Sequence, residues 1–320
     1  MIRLTAIGVA LAVISAGAGA QEYPTHPVTI IVPFAAGGGT DQSARLAAQL
    51  LTKSLHQTFV VENKAGAGGM IGLGQLARAK PDGYTLGWAG NSPLTIAPYL
   101  QKSPPYDPAT AFTPVSLAGL SSSVLLARPG LDVRNLQAFV AKAKAQPGSI
   151  SFGTSGIGTS THLLGELLKS ETKTDLLHVP YKSDAECISA LLGGQVDVAW
   201  VSAQIAIPQV SGGKLIGLVV SGDAREPAMP GVPTVKEAGV PNMQVPIFFG
   251  LVGPAKLSQD VVDKLAAAMA TVARDEEYRN ALASMGLHAA ASSPAQFSTL
   301  LESHRTRWST LIRQLNISGQ

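Results

Sequence analysis

The sequence predicts an α/β fold with mainly parallel sheets, divided into two similar lobes. Apolar runs typical of buried strands alternate with helical patterns through most of the 320 residues, which is the order that parallel α/β proteins show. Two of these runs, 28–33 and 149–152, are each followed by a glycine-rich turn and then by the start of a helix. The two turns lie about 120 residues apart, so we expect one turn in each lobe, with a small anion between them.

In the first half of the chain, strands and helices alternate as in α/β units. Helix 40–55 carries small and apolar residues at helical intervals, and helix 71–79 ends at the breaker sequence 81–83. A proline-rich loop at 103–108 precedes two extended runs within 113–127. The predicted strands before that loop are 28–34, 59–62 and 84–89.

The second half repeats the alternation and ends in a helical tail. Helices are predicted at 135–145 and 184–192, and a loop with four prolines spans 227–241. The tail from residue 259 onward is predicted to hold helices and no strand, so we expect it to pack on the first lobe. The predicted strands are 149–152, 176–179, 196–200, 215–221 and 247–252.

A tail that returns to the first lobe requires the chain to cross between the lobes twice, near residues 123 and 246. The first lobe is therefore predicted to contain 21–123 and 246–320, and the second lobe 124–245. The crossings would form a hinge, and a ligand in the cleft would favour the closed state.

Residues 1–20 are predicted to be a signal peptide. They combine a positive start, an apolar stretch and an A-x-A cleavage pattern, and no cysteine follows to carry a lipid. The alternative is a membrane anchor, but an apolar stretch of about 14 residues is shorter than the roughly 20 that a spanning helix needs. We expect cleavage before Gln21 and a periplasmic protein.

Composition limits the classes of function. With 46% hydrophobic and 14% charged residues, the chain is typical of compact globular proteins. A net charge of +3 without runs of like charge argues against a nucleic-acid-binding surface. The single cysteine, Cys187, excludes an intrachain disulfide, and the six histidines lack metal-binding spacing, so no metal is expected. Low charge and the absence of heptads favour a monomer.

Motifs for cofactors and catalysis are incomplete. Gly156 and Gly158 match part of a dinucleotide fingerprint, but Thr161 stands where its third glycine would be. The turn at 212–214 lacks the spacing and hydroxyl residue of a P-loop, and no G-x-S-x-G occurs. We therefore expect no cofactor and no enzymatic activity, with an exported hydrolase as the disfavoured alternative.

The glycine-rich turns suit anion binding by the main chain. Gly37 and its neighbouring glycines allow close backbone approach, and Thr40 or Asp41 is predicted to cap the first helix. The second turn places hydroxyl residues at 159–161. Because neither turn contains lysine or arginine, we expect a carboxylate to be held by N–H groups and hydroxyls.

Ordered motifs along the whole mature chain carry a resemblance to a known family. The most specific are 32–41 (VPFAAGGGTD), 61–69 (VENKAGAGG), 79–86 (AKPDGYTL), 178–182 (HVPYK) and 193–197 (GGQVD). With them, the chain resembles the periplasmic solute receptors of tripartite tricarboxylate transporters, often called Bug-type receptors. The resemblance implies a type II periplasmic binding fold that closes on a small carboxylate. It also implies delivery to a large and a small membrane subunit; a ligand-presenting sensor remains the alternative.

The resemblance also implies a set of ligand-binding residues. It places Phe34, Gly37, Gly38, Thr40, Asp41, Gly156, Gly158, Thr159 and Ser160 in the site. The predicted wall residues are Asn91, Ser92, Tyr181, Ser183, Ser202 and Phe248.

Some positions depart from the family pattern. Alanine stands at 36 where proline is common, and Ser183 and Phe248 replace the usual glycine and Trp or Tyr. An aspartate is frequent just after the strand that ends at Trp200, but here the residues are Val201 and Ser202. This absence, with Trp200 and Phe248 nearby, predicts a ligand without an ammonium group and with an apolar or aromatic body.

Overall fold

The computed structural model describes residues 23–315 and 317. The predicted signal peptide and its cleavage site lie outside the described residues. Within the described part, the strands in chain order are β1 Val28–Val32, β2 Phe59–Asn63, β3 Thr85–Gly90, β4 Phe112–Ser121, β5 Ser123–Ala127, β6 Ser151–Thr154, β7 Leu177–Pro180, β8 Val198–Ser202, β9 Ile216–Val220, β10 Ile247–Pro254 and β11 His288–Ala289.

The α-helices match most of the predicted helical segments. Within the described part they are α1 Gly39–Leu55, α2 Met70–Ala77, α3 Leu136–Ala145, α4 Ser160–Thr172, α5 Asp184–Leu192, α6 Ala203–Ser211, α7 Gln259–Val272, α8 Glu276–Ser284 and α9 Pro294–Gln314. A single π-helical turn, Ser92–Ile96, follows β3.

The strands form two separate sheets, one in each lobe. The first lobe holds a six-stranded sheet in the order β11-β4-β10-β3-β1-β2, and the second lobe a five-stranded sheet in the order β7-β6-β8-β5-β9. Strands joined by a crossover helix pair in parallel, as β1 does with β2 and β3 and as β6 does with β7 and β8. The strands that carry the chain between lobes, β4, β5 and β10, pair antiparallel with their neighbours.

The chain passes from one sheet to the other at Ser122, between β4 and β5, and returns after β9 into β10. Each sheet has its own hydrophobic core, with Trp88 fully buried in the first lobe and Trp200 in the second. The predicted lobe limits, 21–123 with 246–320 and 124–245, stay a prediction.

Two short elements differ from the sequence expectation. The prediction of a tail without a strand is wrong, because His288–Ala289 pairs with β4 in antiparallel register. Two residues are too few to show a strand period. The helix Ala203–Ser211 was also not expected, and Pro208 inside it interrupts the helical signal.

Helix α9 contacts both lobes. Phe297 and Leu301, near its start, are buried in the core of the first lobe. Trp308, Leu311 and Ile312, near its end, are buried in the core of the second lobe, which Ile96 and Leu100 of the first lobe also join. Helix α9 therefore packs on the first lobe, and its second half packs on the second lobe as well. The second half links the lobes a third time.

Candidate functional site

A cavity of about 300 Å³ lies between the two sheets, where the chain crosses from lobe to lobe. Its wall combines the starts of α1, α4 and α6 with the β4–β5 crossing and the start of β10. Among the described residues, none that lines it carries a charged side chain. The lining residues are Phe34, Gly39, Thr40, Gly90, Asn91, Ser92, Ser121, Ser122, Ser123, Ser155, Thr159, Ser160, Thr161, Ser202, Gln204, Ile247, Phe248, Phe249 and Leu287.

The structure brings about half of the predicted site residues to this wall. Those that line the cavity are Phe34, Thr40, Asn91, Ser92, Thr159, Ser160, Ser202 and Phe248. Those that do not line it are Gly37, Gly38, Asp41, Gly156, Gly158, Tyr181 and Ser183. A binding role for each residue stays a prediction.

In the first turn, the residues nearest the cavity are the first two of α1. Gly38 is the N-cap and makes no side-chain cap bond, so neither Thr40 nor Asp41 caps this helix as predicted. The first N–H groups of a helix have no acceptor within it. The N–H groups of Gly39 and Thr40 are therefore available at the cavity wall.

Asp41 holds the first turn in place from behind. Its carboxylate accepts hydrogen bonds from the Gly37 N–H at 2.8 Å, from Arg45 Nε at 3.0 Å and from Asn63 Nδ2 at 2.9 Å. Although burial opposes ionisation, the bonds from Arg45, Gly37 and Asn63 keep the pKa of Asp41 below its ordinary value. Its charge is thus neutralised locally, and its role in this structure is to shape the turn.

The second turn is held by hydroxyl groups. Thr159 is the N-cap of α4, where its Oγ1 accepts from the His162 N–H at 3.3 Å and donates to the Gly156 oxygen at 2.7 Å. Gly156 and Gly158 adopt φ values of 118° and 79°, which other residues rarely reach. These two glycines shape the turn. Ser160, the first residue of α4, lines the cavity, and its N–H has no acceptor within the helix.

Two histidines lie behind the second turn in neutral form. His162 and His178 stack with ring centroids 4.3 Å apart, and His162 Nδ1 accepts from the Gly158 N–H at 3.2 Å. Burial, aided by nearby positive groups, lowers the pKa of both to about 4. They orient the turn without adding charge to the cavity at neutral pH.

Asn91 fixes the wall on the side of the first lobe. Its Oδ1 accepts from the Phe248 N–H at 2.7 Å, and its Nδ2 lies 3.2 Å from His304 Nδ1. The ring of Phe248 packs edge-on against Phe297 and His304. The amide of Asn91 is therefore occupied in positioning β10.

The lobes touch across the cavity. Ser92 Oγ lies within hydrogen-bond distance of the Gly68 oxygen at 3.1 Å and of the Gly158 oxygen, in the other lobe, at 3.3 Å. A Cβ on Gly158 would lie 2.7 Å from Leu100 of the first lobe. Glycine at this position therefore permits the close approach of the lobes.

Three second-lobe residues that were expected at or near the wall have other contacts in the structure. Ser183 is the N-cap of α5, accepting from the Glu186 N–H at 3.2 Å, and Tyr181 packs against the second-lobe core. Trp200, expected near the ligand, is fully buried within that core and does not line the cavity. Ser202 does line the cavity, and its hydroxyl contacts Asp184.

Sequence analysis missed other wall residues. The run Ser121–Ser123 lines the cavity because the β4–β5 crossing passes directly beside it. Three consecutive serines between two apolar runs were a usable signal for this position. Gln204, Phe249 and Leu287 carried no such signal, since only the packing of α6, β10 and the tail brings them to the cleft.

A carboxylate–imidazole pair joins the lobes beside this crossing. His288 Nε2 on β11 lies 3.1 Å from Glu226 Oε2, which belongs to the loop after β9. Glu226 is buried, and its other oxygen accepts from Ser122 Oγ. Burial opposes ionisation, but the bonds from His288 and Ser122 keep the pKa of Glu226 below its usual value. The bond to Glu226 raises the pKa of His288.

This pair should stabilise the folded chain in a defined pH window. The stabilisation from His288 is complete at a pH below the pKa of this residue in the unfolded chain. It is lost as the pH rises through the raised pKa of His288 in the folded chain, whereas the stabilisation from Glu226 is lost only in acid. Because the imidazole is 47% exposed, we expect at most about 1 kcal/mol. Thermal unfolding should show His288→Gln to be more destabilising at about pH 5.5 than at about pH 8.5. Equal destabilisation at both values would contradict this.

Two α/β lobes around an uncharged cavity, with helix N-termini from both lobes at its wall, define a two-lobed solute-binding receptor of the periplasmic type. The chain belongs to the tripartite tricarboxylate transporter family receptors, whose family model matches residues 43–317. The predicted family and type II fold are therefore confirmed. Membership of this family places the chain outside the cytoplasm.

Solved structures of similar proteins share the fold over nearly their whole length. The periplasmic binding protein BugD is 33% identical with a TM-score of 0.78, and the match covers 93% of this chain and 100% of BugD. Rpa4515 of R. palustris, solved with adipate, is 29% identical with a TM-score of 0.81, covering 93% and 99%. MatC of Rhodopseudomonas palustris, solved with bound malate, is 31% identical with a TM-score of 0.78, covering 91% and 100%.

Neither a membrane helix nor a metal-binding cluster is seen in the part of the chain that the structure describes. No helix there is long and apolar enough to cross a bilayer. No group of three or more His, Cys, Asp or Glu side chains there could hold a metal ion.

Proposed function

We propose that this chain is a periplasmic receptor that binds a small organic carboxylate between its lobes and delivers it to a tripartite membrane transporter. The observation that carries the proposal is that the first residues of two helices, Gly39 in one lobe and Ser160 in the other, lie at the wall of one uncharged cavity, where their N–H groups have no acceptor within the helix. A carboxylate that bonds to both lobes stabilises their closed arrangement.

The binding energy is sufficient without an ion pair. A helix N-terminus stabilises an anion by up to about 2 kcal/mol when partly buried, and each charge-assisted hydrogen bond adds about 1.5–3 kcal/mol. Four such bonds from the two turns can support micromolar binding, about −8 kcal/mol, after the cost of ordering the groups.

The ligand has an apolar body. Besides its polar groups, the wall presents the apolar side chains of Phe34, Ile247, Phe248, Phe249 and Leu287. The volume of about 300 Å³ is at the low end of small-molecule sites, which favours a compact acid. The relatives solved with adipate and malate support a carboxylate of this size.

The remaining parts of the proposal follow from the family. We infer cleavage of residues 1–20, a monomer with the predicted lobe limits, no cofactor, and a large and a small membrane subunit as partners. The signalling alternative would use the same cleft, so uptake must be tested directly. Vesicles containing the membrane subunits should take up the ligand only when the receptor is added, whereas a sensor would leave uptake unchanged.

Thermal unfolding of the mature chain with a panel of acids tests the proposal. Monocarboxylates, dicarboxylates, tricarboxylates and aromatic acids are compared with their primary amides, which keep the shape and remove the charge. An acid at 100 times its Kd should stabilise the chain by about 2.7 kcal/mol, several degrees in Tm for a protein of this size, and its amide should not. The carboxylate assignment fails if no acid raises Tm, or if the amides act equally.

A further inference from the structure

One part of the cleft wall is built to accept hydrogen bonds. Ser202 Oγ lies 2.6 Å from Asp184 Oδ2, and the Ser202 N–H donates to the same oxygen at 3.0 Å. An ionised carboxylate can only accept, so the hydroxyl must donate its single hydrogen to Asp184. Ser202 lines the cavity, so its hydroxyl can join a ligand only by accepting a hydrogen bond.

The hydroxyl hydrogen of Ser122 is likewise used in a bond to a buried carboxylate. Its hydroxyl donates to Glu226 Oε1, and the other oxygen of this buried carboxylate contacts His288. Both Ser122 and Ser202 line the cavity. They belong to one region of its wall, because the Ala203 N–H donates to the Ser122 oxygen at 2.9 Å and β5 pairs Ser123 with Ser202.

The Asp184 carboxylate, which accepts from Ser202, is only partly hydrogen-bonded. Asp184 Oδ1 is buried and has no hydrogen-bond partner among the described residues. Since this carboxylate is bonded to a residue of the cavity wall, it disfavours a second negative charge at that wall. Sequence analysis expected no carboxylate here, because none follows Trp200 in the chain; Asp184 at the start of α5 supplies one from a neighbouring element. A ligand with an ammonium group is therefore compatible with this wall.

We propose that the ligand carries, besides its carboxylate, a hydrogen-bond donor that faces Ser122 and Ser202, and that a second carboxylate at this wall is rejected. The proposal rests on the carboxylate receptor function and names its substrate class: monocarboxylates with a hydroxyl or amino group at the far end. The helix N-termini bind the carboxylate, and the serine lone pairs bind the donor.

Calorimetry with three acids of equal length tests this on the mature chain: hexanoate, its terminal hydroxyl derivative and adipate. The hydroxy acid should bind about tenfold tighter than hexanoate, the value of one hydrogen bond of about 1–1.5 kcal/mol, and tighter still than adipate. Adipate binding as tightly as the hydroxy acid would overturn the proposal. If none of the three binds, and no other acid does, the receptor function itself has failed.

Two substitutions of Asp184 separate the effect of the Ser202 lone pairs from the effect of the carboxylate charge. Asp184→Ala frees the Ser202 hydroxyl to donate, so the preference for the hydroxy acid over adipate should fall at least fivefold. Asp184→Asn keeps an acceptor for Ser202 and removes only the charge, so adipate should gain while the hydroxyl preference over hexanoate persists. Asp184→Asn also tests the proposal if Asp184→Ala does not fold.

Ser202→Ala is the test variant, and Ser189→Ala is its matched control. Ser202 makes no side-chain cap bond to α6, so its replacement spares the helix start and should remove the tenfold hydroxyl preference. Ser189 is exposed on α5 and does not line the cavity, so Ser189→Ala should leave that ratio unchanged. An unchanged ratio in folded Ser202→Ala would overturn the proposal.

Discussion

Replacing Gly39 by proline should weaken carboxylate binding about 10- to 150-fold, the value of one charge-assisted hydrogen bond, while the fold is kept. Gly39 is the first residue of α1 and lines the cavity, so its N–H has no acceptor in the helix. Proline is well tolerated at a first helical position. The preceding Gly38 is extended, with φ −77° and ψ 167°, as a residue before proline should be.

Gly39→Ala is the matched control. It keeps the N–H and adds a Cβ at the position where proline also has one, 2.9 Å from Gln204 Oε1, so the steric cost of the Cβ is common to both variants. Ser160→Pro and Ser160→Ala repeat the comparison at α4, where the N-cap Thr159 is also extended. Isothermal titration calorimetry gives the affinities. If each proline variant binds as tightly as its alanine counterpart, main-chain amides do not hold the carboxylate.

Trp308→Ala should lower the free energy of unfolding by about 3–5 kcal/mol, as for other large buried aromatic residues. Trp308 lies near the end of α9 and is fully buried in the core of the second lobe, although the helix starts in the first lobe. Its loss would leave a cavity and weaken the link between the lobes. Urea unfolding measures the change.

Trp308→Phe separates the volume of the ring from its N–H group. The indole Nε1 is buried without a hydrogen-bond partner among the described residues, so phenylalanine loses no bond there and should cost less than about 1.5 kcal/mol. Phe297→Ala, in the first-lobe half of the same helix, should cost as much as Trp308→Ala. A loss below about 1 kcal/mol for Trp308→Ala would contradict the assigned packing.

Most elements of this fold were predictable because their signals are local. Apolar runs such as 28–34, and the helical spacing within 40–55, reproduce β1 and α1 to within a few residues. Two elements, β11 and α6, were not predicted. His288–Ala289 is a strand only because β4 pairs with it, and α6 contains a proline that sequence rules assign to a helix end.

Part of the candidate site was also predictable from the sequence, and part was not. The two glycine turns and their hydroxyl residues were identified from the chain, and Thr40 and Ser160 do line one cavity. In the first turn the N–H of Gly37 is bonded to Asp41, and the cavity wall is formed two residues later, at Gly39. A hydrogen bond that closes a turn cannot be read from glycine spacing alone.

The sequence by itself determined the family, the two-lobed α/β architecture and the absence of cationic side chains in both glycine turns, because these depend on residue order and local periodicity. Only the tertiary structure decided which helix ends share a cavity, that α9 packs on both lobes, and that Asp184 is bonded to Ser202. The physical reason is that hydrogen bonds and burial join residues distant in the chain, so a missing aspartate at one position can be replaced by a carboxylate from another element.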